Sequence, residues 1–317
     1  MVTAPPLGCH MKHVKLLGLL ALAAVSLRAD SYFLIVSGLG GEDQYDQRFT
    51  GWVSDLNKLL KAEPGAKVDT LSGKDATKAN IEAKLRALST TKADDSFVLV
   101  LIGHGTYDDL DYKFNIPGPD ISATELAGLL DKIPAKQVVV NTTSSSGGSL
   151  AVLEKPKRVV ITATKTGTEK NATVFARFFI EALRDPAADA DKNQAISVLE
   201  AFRYAEEKTG KYFETQKRLA TEHALIEDTG KGEGVKSPSA ENGEGLIANR
   251  QVLLHLGSVA SIVNDPEKQK LLKRKDDLET QIDELKYRKA AVPQREYQQQ
   301  MRQLLLDLAN VQEGLDK

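Results

Sequence analysis

Apolar, β-branched runs alternate with amphipathic stretches along the first two-thirds of the chain. Residues 32–38 (YFLIVSG), 96–103 (SFVLVLIG), 137–143 (QVVVNTT) and 157–164 (KRVVITAT) read as buried strands, and 66–71 (AKVDTL) as a shorter one. Continuous apolar runs of this kind mark strands covered on both faces, as in parallel sheets. Between them, 49–60 (FTGWVSDLNKLL) and 76–88 carry the helical repeat. Ser122-Ala-Thr-Glu125 is a capping box that opens a helix running to Ile133, and Asn171 is placed to cap ATVFARFFIEALR. Strand–helix alternation predicts a mostly parallel sheet with helices on both faces.

After Ile226 the pattern changes. Residues 227–245 (EDTGKGEGVKSPSAENGEG) are glycine-rich and charged, which predicts an exposed loop or linker, and 250–257 (RQVLLHLG) reads as a short strand. From Asp265 onward Leu271, Leu278, Ile282 and Leu285 share a helical face. Tyr297, Met301, Leu304, Leu308, Val311 and Leu315 then keep steps of four and three. That is heptad spacing, broken at Ala290-Ala-Val-Pro293 because proline stops a helix. The segment 265–317 is therefore expected to be a coiled-coil hairpin, or two helices packed on the main domain.

The opening residues do not fit the fold. Lys12, His13 and Lys15 precede LLGLLALAAVSL, and Arg28-Ala29 lead into polar Asp30. This describes a signal peptide over 1–29, too short to span a bilayer comfortably, so the mature chain is expected to be exported. Cys9 is the sole cysteine, so the mature chain would have no disulfide, thiolate nucleophile or cysteine-bound zinc. A formal net charge of −2, with no base-stacking or zinc-finger pattern, argues against nucleic acid.

Candidate chemistry lies where two strands stop. LVLIGHG ends on His104 and Gly105, and VVVNTTSSSGG ends on Ser144, Ser145 and Ser146 before two glycines. Carboxyl ends of strands are where open α/β sheets place their sites. At these residues, over 31–226, the chain resembles the caspase-like peptidase superfamily, in particular its legumain-type branch. The resemblance implies a three-layer α/β fold with His104 at the catalytic histidine position. Laying the small-residue turn on Ser146-Gly147-Gly148 puts Ser144 where those enzymes have their cysteine. It also implies that Arg48 stands where a basic residue helps a substrate pocket.

Serine is a far weaker acid than cysteine and needs a base in direct contact, itself held by a carboxylate. Three readings follow. The preferred one is a pseudoenzyme that binds a peptide or protein without cutting. The second is a serine hydrolase using Ser144 with His104, or else Ser145 or Ser146. The third has the small residues merely allowing a tight turn. In the first two, the N–H groups of Gly105 and Ser144 are the expected oxyanion donors.

One further spacing stands out. Asp189, Asp191, Asn193, Ala195, Ser197 and Glu200 occupy the ligand positions of an EF-hand calcium loop, although Gln194 stands where the turn wants glycine. Ser197-Val-Leu-Glu200 is also a capping box, so weak calcium binding and plain helix capping both stay open. No cofactor is otherwise required. Expected partners are a peptide or protein ligand and, for the hairpin, a coiled-coil partner, a second copy or a calcium-stabilised scaffold role. No membrane contact is expected beyond the signal peptide.

Overall fold

The computed structural model describes residues 29–63, 65–256 and 265–316, so residues 1–28 of the expected signal peptide lie outside the described residues. Along the chain run β1 (Ser31–Ser37), α1 (Asp43–Lys61), β2 (Ala66–Leu71), α2 (Lys78–Ala87) and β3 (Ser96–Ile102). A small antiparallel sheet follows, made of β4 (Gly105–Tyr107), β5 (Tyr112–Phe114) and β6 (Ile121–Ser122). Next come α3 (Ala123–Leu130), β7 (Lys136–Asn141), α4 (Leu150–Leu153), β8 (Arg158–Thr162) and α5 (Phe175–Ala182). Then follow β9 (Ala195–Ser197), α6 (Val198–Thr215), β10 (Leu225–Glu227), α7 (Leu246–Arg250) and β11 (Val252–His255). The chain closes with α8 (Pro266–Tyr287) and α9 (Gln294–Asp316).

The main sheet has the order β10-β8-β7-β3-β1-β2, parallel except for the edge strand β10. Side chains alternate through it. Phe97, Leu99 and Leu101 of β3 join one core with α2 and α3, while Val98, Val100 and Ile102 join the other with α1, α5 and α6. On α1 the buried residues Phe49, Val53, Leu56 and Leu60 fall at steps of four, three and four, one helical face. Burying each such side chain stabilises the fold by roughly 1.5–3 kcal/mol. The expected three-layer α/β arrangement is present.

Register carries this order to the site. Ser37 pairs with Ile102, Leu101 with Asn141 and Asn141 with Thr162. The strands therefore end level with one another, and the segments after β1, β3, β7 and β8 emerge along one edge.

Three expectations are corrected. Asn171 does not cap the next helix: α5 begins at Phe175, and the Glu222 carboxylate accepts the N–H groups of Val174 and Phe175 at 2.8 and 3.2 Å. An incoming acidic side chain from a distant segment takes the capping role. Second, the helix opened by Ser122 stops at Leu130, short of Ile133. Third, 227–245 is not simply an exposed loop, because Glu227, Asp228 and Glu244 are buried and Val235 pairs with Ile226 on the outer edge of β10. Asp228 caps α7 through the N–H groups of Ile247 and Ala248, at 2.8 and 3.0 Å.

The break at Pro293 falls as the heptads predict. α8 and α9 fold back on each other, Leu271 packing near Gly314 and the Lys268 ammonium donating to the Leu315 carbonyl at 3.2 Å. The hairpin also docks on the main domain: Arg250 pairs with Glu284 at 2.7 Å and the Tyr287 hydroxyl donates to the Glu244 carbonyl at 2.7 Å. Among the described residues, no helix is long and apolar enough to cross a membrane.

Candidate functional site at the carboxyl edge of the sheet

His104 and Ser144 both emerge at this edge, from β3 and β7, yet no hydrogen bond joins them. The Ser144 Oγ donates to the Gly105 carbonyl and accepts the Gly105 N–H, each at 3.1 Å. Its hydroxyl is thus closed on one peptide unit of β4, and Ser144 is 2% exposed. The expected oxyanion donor Gly105 N–H is the one this serine occupies.

His104 turns toward α1. Its ring meets Tyr45 and Phe49 edge-on, with centroids 4.9 and 5.3 Å apart. Burial pushes its pKa below the ordinary histidine value, and the nearby Arg48 cation adds to this, while the Gly40 backbone, Asp46 and Glu42 oppose it. Its neutral form is favoured in this aromatic setting. The two residues expected to form a dyad make their contacts with different neighbours, Ser144 with Gly105 and His104 with Tyr45 and Phe49.

Arg48 lies in the same cluster, its guanidinium 5.1 Å from the Tyr45 ring centroid and 5.9 Å from that of Trp52. It is half-buried, and among the described residues no carboxylate pairs with it. A guanidinium stacked on aromatics and left without an anion is suited to receive one.

The serine turn is closed over. Thr142, Thr143, Ser144, Ser145, Ser146 and Thr164 are all buried. Ser145 adopts the left-handed conformation (φ 57°), donates its N–H to the Glu169 carbonyl at 2.8 Å, and has a buried Oγ without a partner. The Ser146 Oγ accepts the Thr164 N–H at 3.1 Å. Tyr107 lies over Gly148 and Gly167, and Gly147 is pressed against the Lys165–Thr166 peptide. Together Tyr107 and residues 164–170 make a lid. A Cβ at Gly147 would meet that peptide, which is backbone and cannot turn aside. Gly147→Ala is expected to lose about 1–3 kcal/mol in urea unfolding, the usual range for overpacking. An unchanged midpoint would mean that the lid is not closed.

Sequence reading missed the residues that fasten this lid. The Glu169 carboxylate lies 2.6 Å from His223 Nδ1 and accepts the Lys165 N–H at 2.8 Å. Glu222, beside it, is buried and has its pKa pushed up to about 7, mainly by burial and in part by Glu169, against the pull of the two helix N–H groups. Glu169 and His223 stand 54 positions apart, so no local motif could join them.

Asp189, Asp191 and Glu200 converge, with carboxylate oxygens within 4.8 Å of one another, and Gln194 takes the positive φ (67°) that the loop demands without glycine. The other expected ligands are not gathered there. The Asn193 amide oxygen accepts the Ala195 N–H at 2.8 Å, the Ser197 hydroxyl belongs to the capping box with Glu200, and Ala195 pairs with His255. Three oxygen-bearing groups suit calcium chemically. Their lone pairs already serve the loop, Asp189 accepting from Asn193 and Gln194 and Glu200 from Ala190.

Fold and site together define an α/β protein with a lidded, hydroxyl-rich turn at the carboxyl edge of its sheet. No family model matches the chain, and no curated protein matches it. Among solved structures it is similar to the Drosophila initiator caspase Dronc, with 14% identity over 64% of this chain and 81% of that one, at a TM-score of 0.41. It is also similar to caspase-1 from Spodoptera frugiperda, with 12% identity over 63% of this chain and 87% of that one, at a TM-score of 0.44.

Proposed function

We propose that this chain is an exported, legumain- or caspase-like peptidase homologue in which serine has replaced the nucleophilic cysteine, and that it binds a peptide or protein segment without cutting it. The observation that carries this reading is the reciprocal Ser144–Gly105 clasp, which occupies both the hydroxyl and the N–H that acyl transfer would need. The unpaired Arg48 beside His104 favours a ligand with an acidic side chain near its anchoring position. The ligand lies along the edge formed by the β1–α1 and β3–β4 connections, outside the lid.

A serine-hydrolase reading has one observation in its favour. Ser145 sits in a left-handed turn from strand into helix, the backbone arrangement of a nucleophile elbow, with its Oγ unpartnered. Its burial weighs against it.

The test compares cleavage of a peptide library by the natural chain and by Ser144→Ala, Ser145→Ala and Ser144→Cys, with binding of an acidic peptide followed by anisotropy. We expect binding without cleavage by the natural chain, and no cleavage by any of the three variants while the turn stays closed under its lid. Arg48→Ala should weaken binding about tenfold or more, the usual worth of a hydrogen bond to a charged group. Cleavage by the natural chain that disappears in Ser144→Ala or Ser145→Ala would make it a serine hydrolase and overturn the proposal.

A further inference from the structure

Behind the lid, a cavity of about 30 Å3 lies between the C-terminal half of α6 and the segment leading into β10. Glu206, Thr209, Glu222, His223 and Lys236 line it. This is room for a species the size of one or two water molecules. Thr209 is 4% exposed, and its Oγ1 has no hydrogen-bond partner. Leaving a buried hydroxyl unpaired costs roughly 1–3 kcal/mol, and native proteins seldom do so.

Charge narrows the occupant. Glu222 is 3% exposed and its two carboxylate oxygens each accept one backbone N–H, from Val174 and Phe175, which leaves each a lone pair. Glu206 pairs with Lys236 at 3.0 Å, and His223 is taken by Glu169. No cation is paired with Glu222, so the lining carries one carboxylate more than it carries ammonium groups. Two carboxylates repel an anion. An apolar guest would leave Thr209 unpaired. A calcium ion takes six to eight oxygen ligands and magnesium keeps several waters, more than this volume and lining supply, and potassium, larger than calcium, asks for a similar shell. Once Glu222 is ionised, water would satisfy the hydroxyl but leave the buried charge uncompensated.

We propose that this cavity is a site for one ammonium ion, held by hydrogen bonds to the Thr209 hydroxyl and the Glu222 carboxylate. Glu222 fixes the start of α5, and just before it the Thr173 hydroxyl donates to the Thr142 carbonyl at 2.5 Å. A cation bound here therefore steadies the strand end from which the Ser144 turn departs, whether or not that turn performs chemistry.

The test is thermal unfolding of the full chain at pH 8 in ammonium, potassium or choline chloride at equal ionic strength. Ammonium should raise the midpoint over both potassium and choline by about 3 °C at ten times the dissociation constant. An equal rise in potassium would mean a site that selects charge and size without hydrogen bonds, and would overturn the assignment to ammonium. Thr209→Val keeps the shape and removes the unpaired hydroxyl, so it should fold and match or exceed the natural chain in choline, yet lose the cation response. Glu222→Gln should lose the response as well. Equal midpoints in all three salts would mean a water-filled cavity and overturn the proposal. So would a response that survives in Thr209→Val.

Discussion

Arg158→Met should lower the unfolding free energy by about 3 kcal/mol, with most of that loss arising from neutral groups and little from the ion pair. The Arg158 side chain is 3% exposed at the start of β8, where it donates to Gln137 Oε1 at 3.0 Å, to the Leu153 carbonyl at 2.7 Å and to Asp131 at 2.8 Å. Gln137 in turn donates to the carbonyls of Leu130 and Ile133 at 2.9 and 2.8 Å, so one guanidinium organises the amino ends of β7 and β8 and the end of α3. Removing it orphans two buried acceptors, each at roughly 1–3 kcal/mol. Asp131 is 49% exposed and keeps Lys155 at 2.9 Å, so its charge is not stranded. Asp131→Asn keeps an amide oxygen that can accept from Arg158 and should accordingly lose clearly less than Arg158→Met. Urea unfolding of the two variants decides the matter: equal losses would mean that the ion pair dominates. Methionine fills much of the arginine stem's volume, which keeps cavity formation from masking the result.

The strands were legible because their signal is local. Each buried run declares itself through consecutive apolar residues, and the level ends of β1, β3 and β7 follow from parallel pairing. The capping boxes at Ser122 and Ser197 and the stop before Pro293 were legible for the same reason, since donor and acceptor lie within one turn. What failed was the identity of partners far apart in sequence. His104 and Ser144 are correctly placed at one edge, but proximity does not fix which hydrogen bond a hydroxyl makes, and the Gly105 peptide competes successfully for Ser144. Asn171 is a good local cap displaced by Glu222, which lies 47 positions beyond Phe175. The glycines of 227–245 suggested solvent, whereas Gly230 and Gly234 instead allow the backbone to approach Pro156 and Leu150. A Cβ at Gly230 would sit 2.6 Å from the Pro156 nitrogen, and its φ of +75° is the left-handed region that favours glycine. The hairpin's heptads describe a helical face but not its docking, because Arg250 and Tyr287 act through scattered polar contacts that leave no periodic trace.

Glu222 should make the fold less stable as pH rises, which is opposite to the usual behaviour of a carboxylate. Burial favours its neutral form, and the Glu169 charge adds to this, so the folded-state pKa stands at about 7 against an ordinary 4.5. Between those values the folded state holds a proton that the unfolded state has released, and stability then falls with rising pH. The contribution is fully present below about 4.5 and is lost as pH passes through about 7. At 1.36 kcal/mol per pKa unit it amounts to about 3 kcal/mol as an order of magnitude. Glu244 and Glu279, both raised to about 7 chiefly by burial, shift stability in the same direction, and His104 shifts it the opposite way. Those effects are common to the natural chain and Glu222→Gln, so the difference between the two isolates one carboxyl. Measured by urea unfolding in choline chloride, to keep the proposed cation out, the natural chain's advantage over Glu222→Gln should shrink by about 3 kcal/mol from pH 4 to pH 8. A difference that stays flat would mean that Glu222 ionises as an ordinary surface glutamate and that the segment before β10 is open to water. Repeating the series in the salt that binds should recover part of the loss at pH 8, because a cation beside Glu222 favours its charged form.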